Sequence, residues 1–571
     1  MDANGVLHSE HYTTPCYQDL VSFTLGHTNY DPHKPILIDA TDPNNFVTLV
    51  YARHFVRSLI GSFKHYGIGP GHTVCLHMYN HILFPLLFLA VVGCGAQVTA
   101  ANPAYTAAEL KHHYVVSGTT FVVSCNEKIK VAKEAAEGIL ALDGEQVFWL
   151  AHWGPNADID MLQDGWHPTL ENLIDYSENG YERDWITFDD QYLAQTTTAC
   201  FNSTSGTTGL SKMAARSHYS LVMENLSIED RVPKNYQVRR LLCTPFFHGF
   251  TLPLAIISAL RLGIPTYIMH RFDQDKFLSV VQDHRITETA MPPPMIVRFL
   301  SMEPKNRLPL KGLRKVWSGG APLGTDTQCR ALDMFANDAR ICQVWGMTEG
   351  GWMTTFNYPE KDNSGSVGRL IGTYQACIMP TDGNTQEPAQ GYNTKGEIWV
   401  RGPINMTKYR NNEDATKEIM TPEGWLRTGD IGYIDNDGRI FVVDRMKELI
   451  KVRGWQVSPA EVEARLLAHP EIIDAAVIGI SKPELASEVP RAYIVLREHG
   501  SLTEHDVKAH LLGSLAHYKV GDCEVRFVES IPKSPSGKIL KRVLRDSVFK
   551  EVVAQQASEL SPGKQVTLPL R

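Results

Sequence analysis

The feature that most constrains the fold is an alternation of short apolar runs and helical segments in the first third of the chain. Apolar residues from Leu49 to Phe63 follow helical spacing, and the glycine-rich stretch 67–71 ends that helix. Strands are predicted at 74–76, 97–100, 120–124 and 146–150, with helices at 107–116 and 128–139. Since strands that alternate with helices build parallel β-α-β units, the pattern predicts a layered α/β domain.

The longest apolar run, from Ile82 to Ala96, contains one proline and two glycines. It is shorter than the ~20 apolar residues that a membrane-spanning helix needs, so it predicts a buried helix. His112 and His113 lie on the next predicted helix and have no further metal-ligating residues clustered with them. We expect both histidines to be exposed.

The sequence pattern changes near Ser366. From there to about residue 443 it predicts strands joined by turns. Within this segment Asp437-Gly438 predicts a hairpin turn, because glycine accepts the positive φ required there. The large domain is therefore predicted to span residues 1–443, with a β-rich subdomain at about 366–443.

Residues 444–571 predict a separate, small α+β domain. A capping box with proline at the first helical position, Ser458-Pro459-Ala460-Glu461, opens its first helix. Further strands and a helix follow it.

Composition excludes several classes of protein. The chain has 571 residues, enough for about two to four domains. Its 55 basic and 63 acidic residues give a net charge of −8, which argues against a nucleic-acid-binding protein. The ten cysteines include no CxxC pair, so we expect neither a disulfide framework nor a cysteine-rich zinc site. Neither end resembles a secretory signal or an SKL-type terminus, which predicts a cytoplasmic protein.

The strongest local signal is the run Ser203-Thr-Ser-Gly-Thr-Thr-Gly209, which Lys212 follows. Small hydroxyl residues and glycines leave backbone N–H groups free to converge on an anion, and Lys212 adds a positive charge. The run lacks the GxxxxGK[ST] spacing of a Walker A motif. It predicts a phosphate-holding loop, with a flexible surface loop as the alternative from this segment alone.

Other segments carry the residue types of a nucleotide site. Trp345, Thr348 and Glu349 place an aromatic plane, a hydroxyl and a carboxylate within five residues. An aromatic ring can stack on a base, and a carboxylate can hold Mg²⁺ on phosphates. Asp430 follows a turn and suits the two hydroxyls of a ribose, while Lys538 lies in a Pro/Gly-rich loop.

In order and spacing, these segments resemble the acyl-adenylate-forming enzymes, and within them the 4-coumarate:CoA ligase-like acyl-CoA ligases. The resemblance spans roughly residues 30–550 and is carried by STSGTTGLSK, WSGGAPLG, QVWGMTEG, GEIWVRG, WLRTGD, DRMKELIKVRGWQVSP and PKSPSGKILKR. It implies an α/β fold with a large N-terminal domain of layered parallel and mixed sheets with helices. A small β-barrel-like subdomain and a small, mobile α+β C-terminal domain, hinged near 444–445, complete the implied fold.

The resemblance also implies the reaction and its cofactors, ATP, Mg²⁺ and CoA. A carboxylate attacks the α-phosphorus of ATP to give an acyl adenylate and pyrophosphate, and the CoA thiol then displaces AMP. Positioning and neutralisation of phosphoryl charge are the protein's tasks in the first half.

Site residues follow from the resemblance position by position. Lys538 is expected to bridge the acid's carboxylate and the nucleotide, Thr348 to touch the adenylate phosphate, and Glu349 to ligate Mg²⁺ together with Thr208. Trp345 occupies the position beside adenine, where Tyr is usual. The other nucleotide-side and CoA-side residues are Thr204, Ser205, Gly206, Thr207, Thr208, Lys212, Gln343, Asp430, Arg445, Lys451, Gln456, Arg453 and Gly454, of which Arg453 and Gly454 match the CoA side.

The sequence departs from the family pattern at two places. The phosphate loop usually ends Pro-Lys-Gly and here reads Ser211-Lys212-Met213. The box usually written GEICIRG is here GEIWVRG, with Trp399, for which a structural consequence is expected.

The acid-binding residues implied by the resemblance are His248, at the mouth of the substrate site, with Phe250, Leu254, Trp317 and Gly320. Trp317 stands where phenol-binding 4-coumarate ligases carry Lys. Loss of that donor favours an apolar acid, medium-chain or aryl-alkanoic. The alternative is a core position for Trp317 with no ligand contact.

Other functions remain open beside an acyl-CoA ligase. The acyl group could pass to the phosphopantetheine of a carrier protein, which would be a separate chain because no GxDSL segment follows Lys538. Amino-acid activation is disfavoured, since the segment 246–250 contains no Asp. A luciferase-type oxygenase would share every motif. A catalytically dead nucleotide-binding scaffold is disfavoured by the intact Lys538, Glu349 and Asp430.

Overall fold

The computed structural model describes residues 1–26, 28–139, 147–150, 183–204, 211–381, 387–452, 455–482, 487–534 and 537–559. Over these residues the strands form five sheets, of nine, seven, five, three and two strands. None of the helices in this part of the chain is long and apolar enough to cross a membrane.

The nine-stranded sheet is parallel in its centre and antiparallel at its two ends. Its strands, in spatial order, are Arg369–Leu370, Gly351–Thr355, Arg340–Met347, Lys315–Gly319, Glu288–Ala290, Arg240–Leu242, Thr266–Ile268, Leu37–Asp39 and Phe46–Val47. Parallel strands bring their carboxyl ends to one edge, so the segments after Gly319 and Met347 emerge side by side.

The seven-stranded sheet contains the parallel strands predicted in the first third of the chain. Its spatial order is Lys408–Tyr409, Met213–Ser217, Thr198–Ser203, Gln97–Ala100, Thr73–His77, Phe121–Cys125 and Val147–Leu150. The predicted phosphate loop joins the antiparallel strands that end at Ser203 and begin at Met213. The α/β class with layered parallel and mixed sheets is thus confirmed.

The five-stranded sheet is antiparallel throughout. Four of its strands are Gln375–Met379, Gly396–Arg401, Leu426–Ile434 and Ile440–Arg445, and Val6–His8 adds the fifth from the other end of the chain. Gly438 has a φ of +73° in the turn between the last two strands, as the predicted hairpin requires.

The C-terminal part combines the three-stranded sheet, the two-stranded hairpin and several helices. The sheet strands are Ile472–Lys482, Ser487–Leu496 and Glu524–Phe527, and the hairpin strands are Ile450–Val452 and Trp455–Val457. Ser458 caps the helix Pro459–Ala468 and accepts from the backbone N–H of Glu461, as the capping box predicts.

The helices cover the sheets. The α-helices are Leu20–Leu25, Leu49–His65, Phe84–Gly93, Ala107–Ser117, Ile129–Ala136, Gln191–Thr196, His218–Ile228, Ala259–Leu262, Gln274–Asp283, Pro293–Leu300, Thr325–Leu332, Glu413–Ile419, Pro459–Ala468, Glu504–Leu512, His517–Val520 and Lys541–Glu559. A π-helix spans Pro253–Ser258, and 3₁₀ segments span Asn126–Lys128 and Pro304–Gly312. Every residue of Phe84–Gly93 is buried, as expected for the longest apolar run.

A buried ion pair joins the two large sheets. Arg216, on a strand of the seven-stranded sheet, donates to Glu224 at 2.9 Å, and both side chains are at most 3% exposed. The other oxygen of Glu224 accepts the backbone N–H of Trp352 at 2.8 Å, on a strand of the nine-stranded sheet. Gly351 has a φ of +61°, and a Cβ there would lie 2.6 Å from Glu224, so the junction requires glycine.

His113 is buried at 1% exposure and His112 is half-buried, which makes the expectation of two exposed histidines wrong. The Nε2 of His113 lies 3.0 Å from the hydroxyl of Thr99 on a neighbouring strand, and this contact fixes the ring against the sheet. His77 and His218 are also buried.

These three histidines should make the protein sensitive to acid. Burial lowers the pKa of His77 and His218 to about 4 and that of His113 to about 3. The unfolded chain binds their protons near pH 6.5, so the free energy of unfolding should fall between about pH 6.5 and 4. The expected slope is roughly 1.4 kcal/mol per pH unit for each histidine well below pH 6.5.

Urea unfolding at several pH values between about 7 and 5 measures this slope. His113→Gln should make the pH dependence shallower, whereas His33→Gln at an exposed position should not. A free energy of unfolding that is constant over this range would contradict the prediction.

Candidate active site

The predicted nucleotide residues meet where the nine-stranded and five-stranded sheets adjoin. Trp345 lies on the strand Arg340–Met347, and the turn after it carries Thr348 and Glu349. Asp430 and Arg445 are direct partners on two neighbouring strands of the five-stranded sheet. Sheet pairing therefore sets their register, although 15 positions of sequence separate them.

Asp430 is held by two donors. The indole Nε1 of Trp345 donates to Oδ2 at 2.7 Å, and the Nε of Arg445 lies 3.1 Å from Oδ1. The carboxylate is 4% exposed, whereas the Arg445 side chain is 38% exposed. The nearby carboxylate of Asp430 raises the pKa of Arg445. The arrangement fixes the orientation of a buried carboxylate beside an accessible cation.

Glu349 is buried and anchored at both its backbone and its side chain. Its carbonyl accepts the N–H of Met406 at 2.6 Å, and its Oε1 accepts the hydroxyl of Tyr409 at 2.5 Å. Burial, and then the charge of Glu349, raise the pKa of Tyr409, so the phenol stays a proton donor. Thr348 beside it is half-buried.

Lys538 faces these residues from the C-terminal part of the chain. It interacts electrostatically with Arg445, Glu448, Asp430 and Glu349, and burial lowers its pKa. The preceding Gly537 has a φ of +84°, and a Cβ there would lie 3.3 Å from Pro294. Gly537 therefore packs closely against the helix Pro293–Leu300.

Two hydrogen bonds join Thr204 and Lys212 at the base of the predicted phosphate loop. The N–H of Thr204 donates to the carbonyl of Lys212 at 2.9 Å, and the N–H of Lys212 donates to the Thr204 hydroxyl at 3.0 Å. Met213, at the first departure from the family pattern, is fully buried and begins the next strand. Ser205, Gly206, Thr207 and Thr208 lie outside the described residues.

The remaining nucleotide-side residues are more dispersed. Gln343 is buried, and its amide donates to Leu323 and Gln328 within the protein. Lys451 and Gln456 are paired on the two-stranded hairpin. Arg453 and Gly454, between the strands of that hairpin, lie outside the described residues.

An aromatic cluster occupies the predicted acid site. Phe250 stacks on Trp352 with ring centroids 5.4 Å apart and planes at 15°, and Trp317 meets Trp352 edge-on at 6.4 Å. The indole N–H of Trp352 donates to the Phe250 carbonyl at 3.0 Å. Phe250 also lies over Gly319, where a Cβ would be 3.1 Å from its ring.

The other acid-site residues differ in exposure. Gly320 is exposed with a φ of +84°, and a Cβ there would meet open space. His248 is half-buried, its Nδ1 accepts the N–H of Phe250 at 3.2 Å, and burial, followed by nearby Lys538, lowers its pKa to about 4. Trp317 and Leu254 are buried in the main hydrophobic core.

Sequence reasoning missed three aromatic residues that shape this region: Tyr409, Trp352 and Tyr374. Tyr374 donates to the carbonyl of Gly350 at 2.6 Å and so holds the turn after Glu349. Tyr409 is 60 positions from Glu349 in sequence. No pattern of spacing links residues so far apart, and only the pairing of strands brings them together.

Comparison with known proteins identifies the family. The model of the AMP-binding enzyme family matches residues 27–410, and the model of its C-terminal domain matches residues 461–538. The first of these alone covers more than half of the chain.

Similar proteins match along almost the whole length. Acyl-CoA ligase M9 of a Phoma species is 39% identical over 90% of this chain and 94% of its own. Phenylacetyl-CoA ligase epaB of Aspergillus niger is 38% identical over 93% and 96%, respectively. The crystal structure of ATP-bound MatB from Rhodopseudomonas palustris superposes with a TM-score of 0.76, at 25% identity, over 94% of this chain and 99% of that one.

The chain therefore belongs to the AMP-binding enzyme family, and within it to the acyl-CoA ligases, the AMP-forming enzymes that join a carboxylic acid to a thiol. The expected relation to acyl-adenylate-forming enzymes is confirmed. Its substrates are a carboxylic acid, ATP and CoA.

The contact between Trp345 and Asp430 generates a stability prediction. Trp345→Phe leaves a buried carboxylate oxygen without its donor, which should lower the free energy of unfolding by about 1–3 kcal/mol beyond the packing loss. Urea unfolding measures the change.

Trp399→Phe is the matched control for this measurement. The indole of Trp399 also donates to a carboxylate, that of Glu397 at 2.8 Å, but both residues are half-buried and water can replace the donor. An equal loss of unfolding free energy in the two variants would show that the bond to Asp430 stabilises the protein no more than the half-buried bond to Glu397.

Proposed function

We propose that this ligase activates an apolar acid, either medium-chain or aryl-alkanoic, and transfers it to CoA. The observation that carries the proposal is the aromatic cluster of Phe250, Trp352 and Trp317 beside His248. The one indole N–H of Trp352 is engaged by the Phe250 carbonyl, so the single polar atom of this buried ring is satisfied behind the half-buried Phe250. An apolar wall of this kind favours acids by size and shape.

Two cations behind Trp317 do not alter this expectation. Lys315 and Arg240 lie 4.7 and 5.1 Å from the ring of Trp317, and buried carboxylates of Asp230 and Glu288 pair with them. Their charges are compensated within the protein, and they fix the indole in place. The similarity to a phenylacetyl-CoA ligase agrees with an aryl-alkanoic acid.

The proposed roles in adenylation follow the family positions. Lys538 bridges the acid's carboxylate and the α-phosphate, Thr348 touches the adenylate phosphate, and Asp430 with Arg445 holds the ribose. Thr204, Lys212 and the loop between them hold the phosphates. The charges that act on Lys538 support this assignment, since incoming phosphoryl charge would meet a half-buried cation.

Magnesium is the proposed metal, and the donor set of the site is compatible with it. Glu349 and Thr348 offer hard oxygen atoms, which Mg²⁺ prefers. The described residues contain no group of three or more His, Cys, Asp or Glu that could hold a metal alone. Mg²⁺ commonly binds through one or two carboxylates together with substrate phosphates, which it neutralises. Glu349, with Thr208, would therefore bind it jointly with ATP.

The proposed domain division places residues 1–443 in a large domain and 444–571 in a small one that turns near 444–445. In the present structure Lys538 faces the charged site. Arg453 and Gly454 follow the strand Ile450–Val452 in sequence and lie outside the described residues. Rotation would exchange these two segments between adenylation and thioester formation.

A pyrophosphate-release screen over medium-chain, phenylacetic, phenylpropanoic, benzoic and cinnamic acids tests the acid class. Octanoate, phenylacetate or phenylpropanoate should be preferred, and neighbouring chain lengths should also react, since one methylene is worth only ~1–3 kcal/mol. A tenfold or greater preference for 4-coumarate over phenylpropanoate or octanoate would overturn the proposal.

Phe250→Ala tests in the same screen whether Phe250 lines the acid-binding pocket. Removal of the ring should shift the preference toward bulkier acids, because it opens the apolar wall. Phe441→Ala is the control, since Phe441 also stacks on an aromatic ring, Tyr433 at 4.8 Å, but lies in the five-stranded sheet. A preference that shifts in neither variant or equally in both would count against a pocket at Phe250.

The two half-reactions should be separable by mutation. Lys538→Ala should lower adenylate formation by about 10²–10³-fold, yet still convert a supplied acyl adenylate and CoA into thioester. Gly454→Ile should retain adenylation and block thioester formation. Pyrophosphate release and thioester yield are measured for each variant.

Lys533→Ala is the control in the same loop, because Lys533 pairs with Asp474 at 2.6 Å within the C-terminal part. It should retain both half-reactions. If Lys538→Ala and Gly454→Ile lose both steps in equal proportion, the rotation does not apply to this chain.

The alternatives have separate tests. Comparison of free CoA with a phosphopantetheinylated carrier protein tests the acceptor, and the relatives reported above are named for CoA ligation. A scaffold without catalysis would release no pyrophosphate with any acid.

A further inference from the structure

Tyr409 connects two parts of the site that the sequence keeps far apart. It lies on the short strand Lys408–Tyr409, which pairs with the strand Met213–Ser217 directly after the phosphate loop. Arg410 donates from its backbone to Met213 at 2.8 Å, and Thr407 donates to Ala215 at 2.9 Å. The position of Tyr409 is thus fixed to the end of the phosphate loop.

The side chain of Tyr409 contacts both functional loops. Its hydroxyl donates to Oε1 of Glu349 at 2.5 Å, and the Nζ of Lys212 lies 5.0 Å from the centre of its ring. Tyr409 is 4% exposed and Glu349 is 7% exposed. Water therefore competes little with the contact between Tyr409 and Glu349, which strengthens it.

The contact also distinguishes the two oxygens of Glu349. The phenol occupies one lone pair of Oε1, whereas no contact with Tyr409 involves Oε2. Met406, three residues before Tyr409, holds the Glu349 backbone through its N–H at 2.6 Å. The segment 406–409 therefore restricts both the main chain and the side chain of Glu349.

We propose that Tyr409 is a positioning residue that couples the two loops, holding Glu349 through its hydroxyl and Lys212 through its ring. The inference rests on the proposed function, in which Glu349 binds Mg²⁺ and Lys212 binds phosphate. Preorganisation of this kind lowers the cost of ordering both groups when metal and nucleotide bind together.

The test is direct measurement of metal binding, separate from turnover. Mn²⁺ replaces Mg²⁺ as a paramagnetic probe, and its affinity for the full-length enzyme with a non-hydrolysable ATP analogue is measured by electron paramagnetic resonance. Tyr409→Phe, which keeps the ring, should weaken Mn²⁺ binding about tenfold, as expected for loss of a hydrogen bond to a charged group. The Mg²⁺ concentration that half-saturates pyrophosphate release should rise in parallel.

Tyr409→Leu separates the ring from the hydroxyl. It removes both contacts, so the KM for ATP should rise in Tyr409→Leu more than in Tyr409→Phe, while the KM for the acid stays near that of the parent. A KM for ATP that is the same in the two variants would remove Lys212 from the proposed coupling.

Tyr236→Phe is the matched control. Tyr236 also donates its phenol to a buried carboxylate, that of Glu288 at 3.0 Å, but at a distance from the nucleotide residues along the sheet. It should retain the parent Mn²⁺ affinity. If Tyr236→Phe weakens Mn²⁺ binding as much as Tyr409→Phe does, the effect is general destabilisation and the proposal fails.

Glu349→Gln separates failure of this inference from failure of the proposed function. Weak Mn²⁺ binding in Glu349→Gln together with parent-like or tighter binding in Tyr409→Phe would overturn only the role of Tyr409. Parent-like Mn²⁺ binding and Mg²⁺ dependence in Glu349→Gln would overturn the metal role of Glu349, and the role of Tyr409 with it.

Discussion

The arrangement of the site depends on the buried ion pair between Arg216 and Glu224. One carboxylate oxygen receives the guanidinium, and the other receives the backbone N–H of Trp352, so the pair joins the seven-stranded and nine-stranded sheets. Removal of either partner would leave an uncompensated buried charge, at a cost of about 3–5 kcal/mol. The loops that carry Lys212 and Glu349 extend from the two sheets that this pair holds together.

Local sequence patterns predicted individual helices and turns, because hydrophobic periodicity and turn chemistry act over short segments of the chain. Periodicity from Leu49 to Phe63 predicted a helix that the structure extends to His65, and the hairpin at Asp437-Gly438 forms as its turn chemistry requires. Contacts between distant segments were not predictable in the same way. His113 looked like a surface residue, yet Thr99 on a neighbouring strand covers it. The strand Val6–His8 joins a sheet whose next strand begins at Gln375.

The candidate site shows the same difference between local features, which the sequence predicts, and contacts between distant segments, which it does not. The residue types at Trp345, Glu349 and Asp430 were visible in the sequence, but the bond from Trp345 to Asp430 depends on how two sheets adjoin. The change at the end of the phosphate loop has a local explanation. Met213 starts a strand and packs with Phe201 and Ala215, so an apolar side chain replaces the glycine that is usual in the family.

The hydrogen bonds of Asp444 determine what a rotation of the proposed small domain would cost. The Asp444 carboxylate accepts the hydroxyl of Ser458 at 2.5 Å and the N–H of Ala460 at 3.1 Å, and the Ser458 hydroxyl also lies 3.1 Å from the carbonyl of Val443. These bonds place an anion at the positive end of the helix Pro459–Ala468. Rotation about bonds after Asp444 would strip this helix end of its counter-charge. Rotation about bonds before Asp444 would carry the anion along with the helix, but it would also separate Arg445 from its strand partner Asp430. A turn on either side of Asp444 therefore gives up the contacts of a buried carboxylate.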